Sequence, residues 1–404
     1  MNEQPMTGPA LIGMAPLMRR AFAGEDLVPI GEKLLARAAA NPADAAAILD
    51  FSTILQLIGQ REQGLALQDE AIRMQPLYQL PSSNSTALRL LVILGPGDFM
   101  ANTPIEFLVE DADVALELLY LTQDGEWPGQ VPDHDVVFVA VGESDDNQPL
   151  LARIESFLQA WPRPVVNRPG RIASLSRDGA WAALHALPGV VIPNAVRVGR
   201  DAMLALARGE GSVRALLKDG DFPVIVRPVG SHAGTGLEKL ESHGAIDGYL
   251  KRVEAQTYYI ARFVDYRGPD RQFAKYRIVL VDGKPFICHF ALSQHWMIHY
   301  LNAGMTESAA KRAAEAECMA GFDHGFAQRH AAALCAIDQR IGLEYLGIDC
   351  AETPDGELLV FEVDNAMIVH AMDPEDMFPY KKPAMRKVFD AFRQMLAQRL
   401  PAAA

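Results

Sequence analysis

The sequence predicts a layered chain of α/β and α+β units, preceded by a short all-α helical segment. Three observations carry that expectation. Leu88-Arg-Leu-Leu-Val-Ile-Leu-Gly95 is a continuous apolar run ending at Gly95-Pro-Gly97, the pattern of a strand buried in a parallel sheet. Phe222-Pro-Val-Ile-Val-Arg-Pro-Val-Gly-Ser-His-Ala-Gly-Thr-Gly-Leu237 passes from an apolar, β-rich segment through a basic residue into a loop with glycines at 230, 234 and 236. Near the far end, Gly347-Ile-Asp349 and Leu358-Leu-Val-Phe-Glu-Val-Asp-Asn365 are strand-like segments that carry carboxylates. A strand delivering a cation to a flexible, amide-rich loop suits polyphosphate. Carboxylate-bearing strands downstream of such a loop suit magnesium–nucleotide chemistry.

Composition bounds the rest. At 404 residues, half of them hydrophobic and 22% charged, the chain has room for two to four modules with cores of their own. A net charge of −14 argues against a nucleic-acid-binding surface, which needs clustered Lys and Arg. Cys288, Cys318, Cys335 and Cys350 show no C-x-x-C spacing, and their bland reading is reduced, buried thiols. Residues 1–24 lack the pattern of a signal peptide, and no run reaches the ~20 apolar residues of a membrane helix. A cytoplasmic protein without nucleic-acid or membrane partners is the expectation.

Taken in order, residues 1–26 read as an N-terminal extension and 27–80 as an alanine- and leucine-rich helical segment. Asn41-Pro42 recurs in kind at Gln75-Pro76, and the offset equals the period of a tetratricopeptide repeat. Leu55, Gly59, Ala71 and Pro76 fall where that repeat wants an apolar residue, a close-approach glycine, a small residue and a stop. The segment resembles one full repeat with a partial one before it; a plain helical brace fits the same residues. So few repeats do not stand alone, so the segment is expected to dock on the rest, to dimerise, or to receive a carrier protein or peptide. Pro81–Ser85 reads as a linker. Residues 86–170 then alternate as a small α/β domain, with a helix near Thr103–Asp111 and strands near Ala115–Leu121 and Val136–Val141. Residues 171–257 place helices around the glycine loop. Residues 258–400 supply strands at Tyr258–Val264, Tyr276–Val281, Pro285–Ala291, Tyr345–Glu352 and Glu357–Val363, with turns at Asp282-Gly283 and Pro354-Asp-Gly356. Helices are expected over Glu307–Met319, Phe322–Ile341 and Tyr380–Leu400.

From roughly Arg89 to Arg399 these pieces, in this order, resemble the ATP-grasp superfamily of carboxylate–amine ligases, the group containing glutathione synthetase and D-alanine–D-alanine ligase. The resemblance implies a pre-grasp α/β domain (86–170), then a lid subdomain with its linking helices (171–257) and a catalytic subdomain (258–400) that clamp ATP between two antiparallel sheets. Asn167-Arg-Pro and Ser176-Arg-Asp178 match the link before the lid. Arg227 stands where the family has a lysine reaching the α/β-phosphates. Gly230, Ser231, His232, Gly234 and Gly236 match the loop over the phosphates. Ala261, Arg262, Phe263 and Val264 match the hinge at adenine. Arg277, in Lys275-Tyr-Arg-Ile, matches the arginine facing the transferred phosphoryl group, with Lys275 as a second cation. Asp349, Glu362 and Asp364 match the ligands of Mg²⁺, the last position normally being asparagine. Arg in place of Lys at 227 keeps the charge and adds a bidentate fork. Asp in place of Asn at 364 adds negative charge, unless Asn365 supplies the ligand instead.

The implied cofactors are ATP and Mg²⁺, and the implied substrates are a small-molecule or peptide carboxylate and an amine. A stable phosphorylated product (a kinase), or nucleotide binding without turnover (an adaptor), are the alternatives. Cys288–Tyr300 is rich in histidine. His289, Ser293, His295, Trp296, His299 and Tyr300, with Asn365 and His370 downstream, are expected to wall the acceptor pocket. Buried packing is the bland reading of the same residues. His295 and His299 also have the i, i+4 spacing of a helical metal pair, although no glutamate follows His295.

Overall fold

The structure, a computed structural model, describes residues 10–80, 82, 85–231, 234–299 and 302–400. Two compact units result: the chain up to Ala173 with Leu343–Tyr345 and everything from Asp364 onward, and Ser174–Gly342 with Leu346–Val363. The stretch expected as one C-terminal subdomain, 258–400, is therefore divided between them.

The first unit is built on a five-stranded sheet. Its strands are β1 (Leu77–Leu80), β2 (Leu88–Leu94), β3 (Val114–Tyr120), β4 (Val136–Val139) and β5 (Val165–Val166), in the order β1-β3-β2-β4-β5. β2 runs parallel to β3 and β4, and its residues are almost all buried, as a two-sided apolar strand requires. Four helices precede the sheet: Met14–Phe22, Val28–Ala40, Ala45–Leu57 and Arg61–Met74. Asp44 caps the third by accepting the Ala47 N–H at 2.9 Å. Leu17, Leu27, Leu34, Ala47 and Ile54 form the core beneath them.

Two expectations for this segment need correction. The helical pattern does not run to Tyr78. Pro76 forces Gln75 into extended backbone, so the helix stops at Met74 and the chain enters the sheet as β1, antiparallel to β3. Tyr78 is buried there and its hydroxyl donates to the Ala71 carbonyl. The glycine of close helix approach is also not Gly59, which lies in open space at the inter-helix turn with φ +85°. It is Gly64, where a Cβ would stand 2.8 Å from the Ser52 carbonyl oxygen.

The second unit holds two sheets. One is β7 (Val196–Gly199), β8 (Val224–Pro228), β9 (Glu238–Leu240) and β10 (Thr257–Arg262), ordered β7-β10-β8-β9 and antiparallel throughout. Helices Arg200–Ala207 and His243–Arg252 contribute Met203, Leu206, Ile246, Tyr249 and Leu250 to its core. The other comprises β6 (Val190–Val191), β11 (Phe273–Val281), β12 (Lys284–Ser293), β13 (Tyr345–Glu352) and β14 (Leu358–Asp364), ordered β12-β11-β13-β14-β6. β11 and β12 form a hairpin whose turn residues, Asp282 and Gly283, both have positive φ, which matches the strand twist. The helix expected over Phe322–Ile341 is broken into Phe326–Arg329 and Ala331–Ile341, because Gly325 takes a non-helical backbone. Among the described residues no helix is long and apolar enough to cross a membrane.

Candidate functional site

The sequence-predicted cations and carboxylates of the second unit form one connected charge network. Asp349 sits mid-strand on β13 and is 2% exposed. Its neighbour β11 carries Lys275 and Arg277, two residues apart and so on the same face of the strand. Arg277 grips the carboxylate with both arms, Nε to Oδ1 at 2.8 Å and Nη2 to Oδ2 at 3.0 Å. Lys275 Nζ lies 2.7 Å from Oδ2. Burial pushes the Asp349 carboxyl up, but Arg277 and Lys275 outweigh it and hold the group well below the usual carboxylate range.

Glu362, on β14, is held by Arg177, whose Nη2 donates to Oε1 at 2.6 Å and whose Nη1 donates to the Phe361 carbonyl at 3.1 Å. Arg177 opens helix Arg177–Leu184, which Ser176 caps by accepting the Gly179 N–H. Burial raises Glu362, while Arg177 and Arg227 lower it further, leaving a net depression. Arg227, at 8% exposure, projects from β8. Burial and nearby Arg177 pull its guanidinium down to about 10, against the attraction of Glu362.

The glycine loop is tied to the same cation. Arg227 Nε donates to Ser231 Oγ at 3.1 Å, a second arm reaches the Ser231 carbonyl, and Ser231 Oγ donates to Pro228 O at 2.9 Å. Gly230, Gly234 and Gly236 all have positive φ, and at Gly236 a Cβ would collide with the Pro228 ring. His232 lies outside the described residues.

At the hinge, Ala261 pairs with Ile225, Arg262 Nε lies 3.1 Å from Asp219, and the Phe263 N–H donates to the Pro223 carbonyl at 2.9 Å. Val264 is half-buried. Lys239 Nζ stands 4.2 Å from the centre of the Phe263 ring, and the Trp296 ring meets Phe263 edge-on at 5.8 Å. Arg177, and Lys239 over the expected Phe263, are contributions that the sequence reading did not include. The Ser176-Arg-Asp178 capping pattern was the signal for the first; nothing local marks the second.

The histidine-rich stretch is not one wall. His289 is buried on β12 directly across from Arg277, and Ser293 Oγ accepts the His295 N–H at 3.0 Å. Trp296 joins the hinge, where Tyr266 donates to its carbonyl. The Ile298 carbonyl accepts from Lys275 Nζ at 3.3 Å, which seats His299 beside the charge network. Burial, Lys275 and Arg277 hold that imidazole below the ordinary histidine value. Residues 294–299 are not helical, so the i, i+4 spacing of His295 and His299 does not align them on one face. Tyr300 lies outside the described residues.

Asp364, Asn365 and His370 belong to the first unit. Asp364 Oδ1 accepts the Ala366 N–H at 2.7 Å. Asn365 is fully buried, its Nδ2 donating to Val141 O at 3.0 Å and its carbonyl accepting from Thr103 Oγ1 at 2.8 Å. His370 packs its ring 5.6 Å from Phe22 and 6.1 Å from Phe107.

The donor chemistry of Asp349, Glu362 and Asp364, hard carboxylate oxygens, suits Mg²⁺, but the arrangement does not. Both Asp349 oxygens and one Glu362 oxygen are taken by cations. Among the described residues no three His, Cys, Asp or Glu side chains gather closely enough to hold a metal ion. What the arrangement offers instead is positive charge: Arg177, Arg227, Lys275 and Arg277 against Asp349 and Glu362, beside an amide-rich loop.

No family model and no curated protein matches the chain. Among solved structures it is similar to the VanG D-Ala:D-Ser ligase from Enterococcus faecalis, at 13% identity over 76% of this chain and 99% of that one, with a TM-score of 0.46. It is similar to the D-alanine–D-alanine ligase from Coxiella burnetii at 12% identity over 77% and 97%, with a TM-score of 0.45. A RimK domain ATP-grasp protein from Sphaerobacter thermophilus gives 16% identity over 77% and 99%, with a TM-score of 0.40.

Proposed function

We propose that this chain is an ADP-forming ligase of the ATP-grasp kind, joining a carboxylate to an amine. The observation that supports it most is the charge network of the second unit. Four cations from three different segments accompany two carboxylates, Asp349 buried and Glu362 half-buried, next to a glycine loop whose serine is already bonded to one of the cations. Such an excess of fixed positive charge is what a triphosphate requires.

In the proposed reaction a carboxylate oxygen of the acid attacks the γ-phosphorus, the bond to the β-bridging oxygen breaks, and ADP leaves. The amine then attacks the acyl carbon, phosphate departs, and the amine's surplus proton is lost. Arg227 and the loop amides bind the phosphate chain. Lys275 and Arg277 are placed to neutralise charge spread over the transferring phosphoryl oxygens. Arg177 fixes Glu362, and Phe263 with Trp296 offers an aromatic edge for the base. The loop glycines allow backbone to approach the phosphates and to exclude water. No covalent nucleophile on the protein is needed.

His289 and Ser293 remain proposed contributors on the acceptor side. The helical segment is proposed as a docked brace rather than a carrier-protein receptor, because its core and its bonds fall within the first unit.

The test is a screen of carboxylic acids and amines for ADP and phosphate release. Phosphate release that requires both acid and amine supports the ligase. ADP formed with a stable phosphorylated product and no amine dependence makes it a kinase. Nucleotide binding without turnover across the screen favours an adaptor.

A further inference from the structure

We infer that His134 is a proton-operated latch on the loop between β3 and β4: the loop is held down while the imidazole is neutral and let go when the ring takes up a second proton. The latch lies wholly within the first unit and does not rest on the proposed triphosphate site.

The connection from Leu121 to Asp135 has no helix or strand of its own. Connections beyond ~12 residues without such structure are uncommon in compact domains and are usually functional. This one is lashed down at intervals. Arg153, on helix Gln148–Leu158, donates to the Thr122 and Gln123 carbonyls at 3.1 and 2.9 Å. Trp127 lies against Phe157 of the same helix, ring centres 4.4 Å apart, and meets Trp161 edge-on at 5.8 Å. Trp161 in turn is bonded to His134, its indole N–H donating to Nε2 at 3.1 Å.

The two partners of His134 fix its protonation. The Pro132 carbonyl, 2.8 Å from Nδ1, can only accept, so Nδ1 carries the hydrogen. An indole nitrogen can only donate, so Nε2 must offer a lone pair. The ring is therefore neutral while both bonds exist, and a proton arriving from solvent on Nε2 would confront the Trp161 N–H. His134 is 5% exposed, so two donors would be left buried and facing one another, which is costly. The charges around the ring supply no ready substitute acceptor. Asp133 is paired with Arg89 of β2 and with Arg163 ahead of β5, Asp135 accepts the Arg89 N–H at 2.8 Å, and Arg153 is stacked over Phe157 at 5.5 Å. The easiest relief is for half-exposed Trp161 to turn away and let water reach Nε2. That removes the edge on which Trp127 rests and leaves it only Phe157, itself 40% exposed. The ends of the loop stay fixed, because the Arg153 bonds involve no titrating group between pH ~5 and ~8, the range in which imidazoles charge.

The test is tryptophan emission from the full chain carrying Trp181→Phe and Trp296→Phe, so that Trp127 and Trp161 alone report. Trp181 is replaced because His185 stacks on it at 4.4 Å and would titrate beside it, and Trp296 because it adjoins His295. Emission and its quenching by acrylamide are followed from pH ~8 to ~5. Acid is expected to raise quenching in one reversible single-proton step, the open population growing ~5-fold or more, the value of one neutral hydrogen bond. His134→Gln in this background, whose amide oxygen accepts the indole N–H at every pH, is expected to stay closed throughout. Trp161→Phe is expected to be open already at the alkaline end. Circular dichroism at both ends of the titration separates release of the loop from unfolding. Quenching that does not change with pH, or the same acid step in His134→Gln, would overturn the inference. So would a step in emission without one in quenching, since the proton would then settle on His134 without freeing the loop. If His134→Gln does not fold, Trp161→Phe decides: quenching at the alkaline end as low as in its parent overturns the latch.

Discussion

Two carboxylates in each unit, Asp50 and Glu106 in the first and Asp349 and Glu362 in the second, are held in opposite ways. In the first unit Asp50, 1% exposed, accepts the N–H groups of Ile12 and Gly13 at 2.8 and 3.0 Å. Glu106 accepts those of Met14 and Ala15 at 3.0 and 2.8 Å. These are the free amides that open helix Met14–Phe22, and the acids fasten that helix to the unit. Burial dominates both: it pushes Asp50 up to about 6 and Glu106 up to about 7 despite the amide bonds. In the second unit burial also raises Asp349 and Glu362, yet guanidinium and ammonium partners reverse the outcome. Depth alone therefore does not separate a fastening from a functional group. The partners differ: backbone amides hold Asp50 and Glu106, whereas guanidinium and ammonium groups hold Asp349 and Glu362.

The largest effect that would sharpen this contrast is on stability. Arg277→Met leaves Asp349 buried with Lys275 alone, and breaking such a pair is expected to cost ~3–5 kcal/mol in urea unfolding. A loss below ~1 kcal/mol, the range of exposed pairs, would mean that Asp349 is not shielded as described.

The next effect is on pH. Asp50 and Glu106 have raised values in the folded state, so between pH ~4 and ~7 the native chain binds more protons than the unfolded one. Stability of the first unit should fall as pH rises through that window and level off above it. Asp349 and Glu362 have depressed values, so their contribution is complete above the ordinary carboxylate range and is lost only as pH falls below ~4. Hydrogen exchange at Ile12–Ala15 and at β13, followed from pH 5 to 8, should show protection declining in the first and steady in the second. Equal trends would erase the distinction.

Smaller effects compare two glycines. Gly236→Ala must hold a φ of +65° and place its Cβ 2.8 Å from Pro228 Cδ, so a loss at the upper end of ~1–3 kcal/mol is expected. Gly59→Ala meets nothing within 4 Å and keeps only the left-handed backbone penalty, ~1–2 kcal/mol. Thermal unfolding ranks the pair, and an equal loss would show that the Pro228 contact yields.

Much of this was legible in the sequence because the signals are local. The apolar run at Leu88, the Asp-Gly turn at 282 and the bounds of β13 follow from periodicity and turn chemistry that short stretches carry. Lys275 and Arg277 fall on one strand face by spacing alone. What could not be read were meetings between segments distant in the chain. Arg177 reaches Glu362 across 185 positions, and Arg277 reaches Asp349 across 72. Trp296 was expected among the histidines but lies against Phe263, because the segment after β12 leaves the sheet and is not helical. The end of the helical segment was misjudged where a single proline outweighed the helical pattern around it.

The most direct test of the central claim is a calorimetric titration of a non-hydrolysable ATP analogue into wild type, Arg227→Met and Arg37→Met. Arg37 attracts the Asp50 carboxylate and pairs with Asp44 at 3.1 Å. The account predicts binding to wild type, an unchanged affinity in Arg37→Met, and a loss of about 10- to 100-fold in Arg227→Met, the value of a charged hydrogen-bonded contact. Equal affinity in all three folded proteins, or no binding to wild type, would contradict it.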